Sequence, residues 1–495
     1  MADKFYITTP IYYSNDVPHV GHAYSSFIAD TLAYYKRLEW FDVKFSTGVD
    51  ENSQKVVEKA QENWMDVMQY ADMMATKHRE LWDNSWIRYT DFVRTTEPRH
   101  RELVQKVLQK SFDNGDIYEG VYNGMYCVGC EWFKKESDLI NWRCPDHPNK
   151  EIQHLAEKNY FFRLSKYQDR LLEFYANNPD FVKPRYKFNE IIEFVKWGLE
   201  DFSVSRETNK FGIPLPFDAD QVTYVWYDAL FNYVTYCQED ESKWWPADVH
   251  VIGKDIIRFH GIYWPAMLWS AWYEAPHNLL VTGYLTLDGQ KISKSIGNVI
   301  SPAEYIEEYS RDMLLLYLFM GFPIGEDGDF DRAQAILMYN AKLSNNLWNL
   351  LNRFIALSLK LWGTITWDVW KVWNEKIELY QSCMNDYNLR SALETAFEYA
   401  SEINKYVDDN TPWKISIDTE EWTKNLNDIL FILISNLRKI AIMLLPFFDV
   451  KMRELLSRIG TPYDDTLTLT ENLSIDPSVF HVVEKGEPLY MRIGK

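Results

Sequence analysis

Two histidines three residues apart, with a glycine between them, stand in the stretch Pro18-His19-Val20-Gly21-His22. An apolar run, Phe5-Tyr6-Ile7, and a turn-prone segment from Thr9-Pro10 to Asn15-Asp16-Val17-Pro18 precede it, and a helical pattern from Ala23 to about Leu38 follows. Strand, tight loop and helix in that order put both imidazoles at a helix N-terminus, where backbone N–H groups and the helix dipole attract anions. The rings add hydrogen-bond donors for phosphate oxygens. Gly21, lacking a side chain, lets a flat ring lie against the backbone. Far downstream, Leu287-Asp288-Gly289-Gln290 leads into Lys291-Ile292-Ser293-Lys294-Ser295. Two lysines flanked by hydroxyls on such a loop suit a triphosphate: ammonium groups offset the charge that develops on a leaving pyrophosphate, and a loop can close over it. Either motif alone also fits an ordinary helix start or a solvated basic turn. Together they point to a nucleotide.

Cys127, Cys130, Cys144 and His147 form the pattern C-x2-C-x13-C-x2-H. Thiolate pairs at this spacing close tetrahedral Zn²⁺ sites, and a site with four protein ligands is structural rather than catalytic. Cys237 and Cys383 have no partner spacing and read as buried thiols.

These groups need elements to hold them. Residues 4 to about 115 alternate short apolar strands with amphipathic helices. Val43–Gly48 reads as a second strand ending in Val49-Asp50-Glu51, acidic groups at the edge where open α/β sheets bind ligands. Helical stretches follow at about 67–81 and 98–112. Around Gly115–Tyr126 the pattern breaks into Gly- and Tyr-rich short strands, opening an insertion that carries the cysteines. More helices run to about Phe202. Strand–helix alternation then resumes at Val222–Trp226, with further core strands at His250–Gly253 and Asn278–Val281. From about Asp331 the chain is nearly all helix: Leu343, Leu347, Leu350, Leu351 and Phe354 fall at helical spacing, as do Leu389, Leu393, Phe397 and Ile403. Pro412 stops that second helix, and a third spans roughly 426–445. The last 30 residues read as polar and strand-like.

With 495 residues there is room for about three domains. A hydrophobic share of 46% and a charged share of 25% describe a globular, soluble chain. No apolar run reaches the roughly 18 residues a membrane span needs, and the N-terminus enters a strand directly, without a signal peptide. A cytoplasmic location is therefore expected. The net charge of −20 argues against a surface that binds polyanions everywhere, not against a local basic groove. Tryptophan (20) equals glycine (20), although glycine alone averages about 7% of residues. Several tryptophans sit where a turn or helix stop suits glycine: Trp40, Trp64, Trp86 and Trp142.

The two motifs resemble the signatures of class I aminoacyl-tRNA synthetases, and the closer resemblance is to methionyl-tRNA synthetase. It covers nearly the whole chain, from Tyr6-Ile7-Thr8-Thr9-Pro10-Ile11-Tyr12-Tyr13 through Lys254-Asp255-Ile256-Ile257-Arg258-Phe259-His260 to Asn410-Thr411-Pro412-Trp413. It implies an α/β fold: a split Rossmann-like parallel-sheet catalytic domain with a zinc-knuckle insertion, then an all-α helical-bundle anticodon-binding domain. The expected divisions are 1–115 and 221–290 for the catalytic halves, 116–220 for the insertion and 291–335 for the KISKS loop and stem-contact region. The bundle would be 336–465 and the tail 466–495.

The resemblance also implies the chemistry. A carboxylate attacks the α-phosphate of ATP, pyrophosphate leaves, and the adenylate passes its acyl group to the terminal adenosine of tRNA(Met), for initiation and elongation. Pro18, His19, Val20, Gly21 and His22, with Lys291, Ile292, Ser293, Lys294 and Ser295, would bind ATP with its Mg²⁺. His19 and His22 would hydrogen-bond the phosphates in flight, Gly21 would accept the adenine ring, and Lys291 and Lys294 would neutralise pyrophosphate. Asp50 would pair with the α-ammonium; a helix cap after Gly48 is the plainer reading of that residue. Ile11, Tyr12, Trp226, Ala229, Leu230, Tyr233, Ile256, Phe259 and His260 would form the methionine pocket, where sulfur–aromatic contacts are worth about 0.3–1.5 kcal/mol each. Asn349 and Arg353, four apart on one helix face, and Trp413 after Pro412 would read anticodon bases by edge hydrogen bonds and stacking.

The insertion leaves little room for a second hydrolytic site, which disfavours the isoleucine, valine and leucine enzymes. Another class I synthetase, such as the cysteine enzyme, and an inactive synthetase-like RNA-binding module remain the alternatives. With no appended C-terminal RNA-binding domain in view, a monomer is expected. Departures from the family pattern are Asn52-Ser53 for His-Gly, Leu315 for arginine and Met320-Gly321 for Arg-Glu. Trp40, Trp86, Trp142 and Trp272 fall where glycine is common, as if a UGA codon that the source reads as glycine stood there.

Overall fold

A computed structural model of the chain describes residues 3–127, 132–134, 136–145, 148–207, 211–287, 289–292, 299–361, 364–366, 374–416, 418–475, 477, 479–481 and 486–494. The chain divides into two compact units. One comprises Tyr6–Pro18 and Lys44–Val281; the other comprises Met1–Phe5, His19–Val43 and Thr282–Lys495.

The first unit is built on a six-stranded sheet. Its strand order is Asp91–Arg94, β2 (Asp42–Asp50), β1 (Lys4–Tyr13), Val249–Gly253, Asn278–Thr282 and Val182–Lys183. Ile7 pairs with Val249, Thr47 with Phe92 and Leu279 with Val182, all in parallel. Tyr6, Ile7, Thr8 and Thr9 are buried in sequence. Strands of parallel sheets are covered on both faces, so they lose the alternating pattern of a half-exposed strand. Helices Pro98–Asp113 and Trp264–Ser270 supply the covering, with Val104, Val107, Leu108, Met267 and Leu268 sharing one core with Tyr6, Ile252 and Leu279. The sixth strand, Val182–Lys183, lies inside the expected insertion and is too short to leave a periodic signal.

The insertion also holds the helices Gln168–Asn177 and Arg185–Lys196 and an antiparallel sheet. Strand Ile117–Cys127 pairs along its whole length with Ile152–Phe162, flanked by Trp132–Lys134 on one side and Phe202–Ser203 on the other.

In the second unit, helix α1 (Val20–Leu38) is buried on every side from Ala23 to Ala33. Its one acid in that stretch, Asp30, is fully enclosed and paired with Arg311 Nη2 at 2.6 Å. Arg311 opens the helix Arg311–Met320, buried continuously from Met313 to Met320. Leu315 is therefore a core residue in an apolar helix, and the ionic tie is made by Arg311 instead. The helices Asn349–Ser358, Leu389–Asn410, Glu420–Leu444 and Asp449–Arg458 follow. The leucines and phenylalanines expected at helical spacing, from Leu343 to Phe354 and Leu389 to Phe397, are fully buried. Among the described residues the expected strand-like tail is a strand at Val479–His481, while Leu469–Ser474 is helical, started by a Thr468/Glu471 capping box. Among the described residues no helix is long and apolar enough to cross a membrane.

Four helices end on a left-handed tryptophan: Trp40, Trp64, Trp86 and Trp272 have φ of 61, 56, 59 and 68°. Each closes the same pair of hydrogen bonds. Trp64 N–H reaches Gln61 O at 3.1 Å and Met65 N–H reaches Ala60 O at 3.0 Å, and the other three repeat that spacing. This is the Schellman termination, whose left-handed position belongs to glycine. Gly115 and Gly460 occupy it elsewhere in the chain. A side-chain-bearing residue pays about 1–2 kcal/mol for that backbone region. Trp64, 96% exposed, gains nothing back from packing. Trp64→Gly should therefore raise unfolding stability by about 1 kcal/mol, read as a higher denaturant midpoint at unchanged slope; a lower midpoint would contradict the strain.

Candidate active site

The first turn of α1 is closed by its own imidazoles. A helix start leaves backbone N–H groups without intrahelical partners. Here His19 is the N-cap, and its Nδ1 accepts the Gly21 N–H at 3.1 Å. His22 reaches back, its Nδ1 accepting the His19 N–H at 3.3 Å. The two rings lie 4.1 Å apart, tilted by 37°. With both Nδ1 atoms acting as acceptors, each neutral ring carries its proton on Nε2. Gly21 makes this possible in a definite way: a Cβ there would stand 2.9 Å from the His19 ring. The missing side chain first makes room for the capping histidine.

The second motif leaves a small β-hairpin in the same unit. Leu285–Leu287 pairs antiparallel with Gln290–Lys291 and parallel with Gly328–Asp329. Gly289 turns the corner at φ 72°, and the Asp329 carboxylate accepts from its N–H at 2.8 Å and from the Thr286 hydroxyl at 2.7 Å. Ile292 is buried. Ser293, Lys294 and Ser295 lie outside the described residues. Where the described chain has resumed, Ile300 O accepts the Val20 N–H at 3.0 Å, next to His19. The outgoing end of the lysine loop is thus joined by a backbone hydrogen bond to the first turn of α1.

The expected amino-acid pocket is drawn entirely from the other unit. Helix Val225–Leu230 carries Trp226, Ala229 and Leu230, and the latter two are buried. A turn of π-helix at Phe259–Tyr263 carries Phe259 and His260; such widened turns recur at functional sites. Trp226 and Phe259 stack face to face at 4.0 Å and 5°. The Tyr233 hydroxyl meets His260 Nε2 at 2.8 Å, and His260 Nδ1 meets the Ile256 carbonyl at 3.0 Å. A carbonyl can only accept, so Nδ1 bears the proton and the tyrosine O–H donates to Nε2. Tyr12 is buried with its ring 5.5 Å from Trp82, and Ile11 before it is half-buried.

Asp50 is the last residue of β2 and nearly enclosed, with its carbonyl accepting from both the N–H and the hydroxyl of Ser14. It caps no helix; Ser53 caps the next one, its hydroxyl accepting from Val56 N–H. The Asn52-Ser53 departure thus has local roles. Asn52 Nδ2 bonds the Thr95 carbonyl and the Asp228 carboxylate, each at 3.2 Å. Glu51 is held by Arg94 Nε at 2.9 Å and Thr96 Oγ1 at 2.5 Å. Asn52 and Asp228 escape a sequence reading because nothing in their spacing, 176 residues apart, announces the pair.

In the helical unit Arg353 lies with its guanidinium carbon 5.7 Å from the ring centre of Trp413, which is 45% exposed. Its Nη1 is held by Asp408 at 2.8 Å, a partner the sequence did not suggest. Asn349 is half-buried one helical turn before Arg353. In the insertion, Cys127 ends its strand and Cys144 follows the Asn141–Trp142 hairpin; both are fully buried, and neither is in a disulfide. Cys130 and His147 lie outside the described residues. Among the described residues no three His, Cys, Asp or Glu groups are grouped to hold a metal.

Burial holds the pocket histidine neutral. The pKa of His260 falls from 6.5 to about 4 because enclosure penalises the imidazolium, with the Ile256 hydrogen bond opposing. The unfolded chain therefore takes up this proton first. The stability this adds is complete above about pH 6.5 and is lost as the pH falls toward 4, up to about 3 kcal/mol. His260→Gln should flatten the fall of the unfolding midpoint between those pH values; equal slopes in both proteins would rule out a neutral, enclosed imidazole.

Known proteins resemble this chain over its whole length. Residues 5–154 and 134–355 match the family model described as tRNA synthetases class I (M). The methionine–tRNA ligase of Thermotoga maritima is 39% identical over 99% of this chain and 80% of its own length. That of Rickettsia conorii is 40% identical over 94% of this chain and 95% of its own. Among solved structures, Mycobacterium tuberculosis methionyl-tRNA synthetase in complex with methionyl-adenylate superposes with a TM-score of 0.92 at 30% identity, covering 99% of this chain and 100% of its own. By sequence and by fold, then, the chain belongs to the methionyl-tRNA synthetases of class I.

Proposed function

We propose that the chain joins methionine to tRNA(Met) in two steps, with the residues above in the following roles. The observation that carries this reading is the pair of imidazoles on α1, whose Nδ1 atoms cap the helix, which puts the ring protons on Nε2. Methionine docks with its α-ammonium against Asp50. Its thioether lies among Trp226, Phe259, Tyr233, His260 and Tyr12, with Ile11, Ala229, Leu230 and Ile256 completing the apolar wall. A methionine carboxylate oxygen attacks the α-phosphorus of ATP, the bond to the β-phosphate bridging oxygen breaks, and pyrophosphate leaves. His19 and His22 donate to phosphate oxygens during this in-line displacement, with the neighbouring backbone of Pro18, Val20 and Gly21 lining the nucleotide. Lys291 and Lys294, on the loop with Ile292, Ser293 and Ser295, neutralise the departing pyrophosphate.

Mg²⁺ accompanies the ATP phosphates. No protein nucleophile is needed; positioning and electrostatics carry the step. A hydroxyl of the terminal tRNA adenosine then attacks the adenylate carbonyl, releasing AMP. Asn349, Arg353 and Trp413 read the anticodon, Asp408 steadying the guanidinium. Residues 336–465 would then serve as the anticodon-binding domain.

Zn²⁺ fits the insertion. Cys127 and Cys144 are enclosed thiols in a stretch where Ile140 and Trp142 stand 65% and 64% exposed. Enclosure of thiols where apolar side chains are not enclosed suits metal ligands better than core packing. With Cys130 and His147 they would hold one structural ion, which stabilises the knuckle when bound. The chain acts as a monomer in the cytoplasm.

ATP–pyrophosphate exchange across the amino acids tests the activity. Exchange with methionine alone is expected; exchange with another amino acid, or with none, would overturn it. His19→Ala should lower the exchange rate about a hundredfold, as loss of one preorganised donor does; an unchanged rate would remove its role. Metal analysis of the purified protein should find one zinc per chain, lost in Cys144→Ala, and a zinc-free wild type would refute the knuckle.

A further inference from the structure

Beneath the pocket lies a second histidine that the reaction does not touch. His250, on strand Val249–Gly253, is fully enclosed. Its Nδ1 lies 2.7 Å from the Thr8 hydroxyl on the paired strand β1, and the Trp264 indole N–H reaches its Nε2 at 3.4 Å. An indole only donates. So Nε2 accepts, Nδ1 carries the proton, and the ring donates to Thr8. Burial, with a smaller push from His260, holds its pKa well below the usual histidine range. The plane of a neutral, doubly hydrogen-bonded imidazole is therefore fixed. The Tyr233 ring stacks on it at 4.2 Å and 29°, and Tyr233 is the residue whose hydroxyl donates to His260.

The geometry points to His250 as a positioning residue for side-chain selectivity: it sets the plane of Tyr233 so that the hydroxyl proton goes to His260. The Tyr233 oxygen then offers a ligand lone pairs only. A thioether, apolar and polarisable, is tolerated there; a side chain bearing a strong acceptor, such as a sulfoxide, is repelled. This rests on the methionine pocket proposed above.

The test is exchange kinetics of His250→Asn, with Trp264→Phe, which keeps an aromatic ring and loses only the indole donor, as the milder second variant. Both should raise the KM for methionine several-fold while the KM for ATP stays within twofold. Both should also narrow the preference for methionine over methionine sulfoxide, because a released tyrosine hydroxyl can donate to the sulfoxide oxygen. Tyr233→Phe separates the two readings. If it leaves the methionine KM unchanged, the pocket assignment fails. If it raises that KM while His250→Asn and Trp264→Phe do not, only the positioning role fails. Parallel rises in both KM values would reduce His250 to general packing and overturn the proposal.

A second inference stands on the backbone alone. Trp40, Trp64, Trp86 and Trp272 occupy the left-handed position of four Schellman terminations. Trp142 at φ 61° follows Asn141 at φ 52° in a two-residue hairpin turn closed by Ile140 and Arg143; this is the turn in which Asn-Gly is preferred. All five are at least half exposed, whereas Trp82 and Trp264 are fully enclosed and have no positive φ. From this split we infer that the protein made in its own cells carries glycine at 40, 64, 86, 142 and 272, through UGA codons decoded as glycine, and tryptophan at 82 and 264. The messenger RNA should read UGA at the five positions and UGG at the two enclosed ones, and peptide mass spectrometry of the protein from its source should find glycine at the five. UGG codons there, or tryptophan in the peptides, would overturn the inference.

Discussion

The first turn of α1 is the constraint on which the proposed nucleotide site depends. Every helix start must find partners for its leading N–H groups. This one uses two imidazoles and a distant carbonyl: His19 takes the Gly21 N–H, His22 takes the His19 N–H, and Ile300 takes the Val20 N–H. The first two bonds orient both rings and select their tautomers. The third joins the chain beyond the lysine loop to the same turn. Structural satisfaction of the helix and the choice of tautomer in both rings are therefore one arrangement, and Gly21 is the position where a side chain would break it.

The proposed methionine pocket follows a related logic with enclosure in place of capping. His260 and His250 are both buried, both neutral, and both held by one donor bond and one acceptor bond. A buried polar group costs stability unless its partners are present. Satisfying all of them removes rotational choice. The stacked indole of Trp226 and ring of Phe259 add apolar, polarisable area without introducing charge. The result is a surface suited to a thioether.

Much of the fold was legible. Apolar spacing in the bundle located the buried faces from Leu343 to Phe397, because an amphipathic helix writes its period into the chain. The Pro18–His22 stretch was recognisable as a strand–loop–helix junction. Other features were not. The edge strand Val182–Lys183 is two residues long and has no pattern of its own. The Ser53 cap, rather than Asp50, depends on where the helix starts, which composition does not reveal. Asp408 beside Arg353, and Asp228 beside Asn52, are partners brought together by packing across long stretches of chain. The tryptophans showed as a compositional oddity in the sequence, but only the sign of φ gives the oddity a physical cost.

By itself the sequence determined the class of chemistry: histidines at a helix start, paired lysines on a glycine loop, and cysteines at metal spacing are local patterns, and local patterns survive without coordinates. The tertiary structure decided the protonation and orientation of the groups. Which nitrogen of His19, His22, His250 or His260 bears its proton depends on a partner that folding delivers, from the neighbouring turn for His19 and His22, and from β1 and the Trp264–Ser270 helix for His250. A hydrogen bond between residues 242 apart, such as Thr8 to His250, has no representation in spacing along a chain. It exists only once two strands lie side by side.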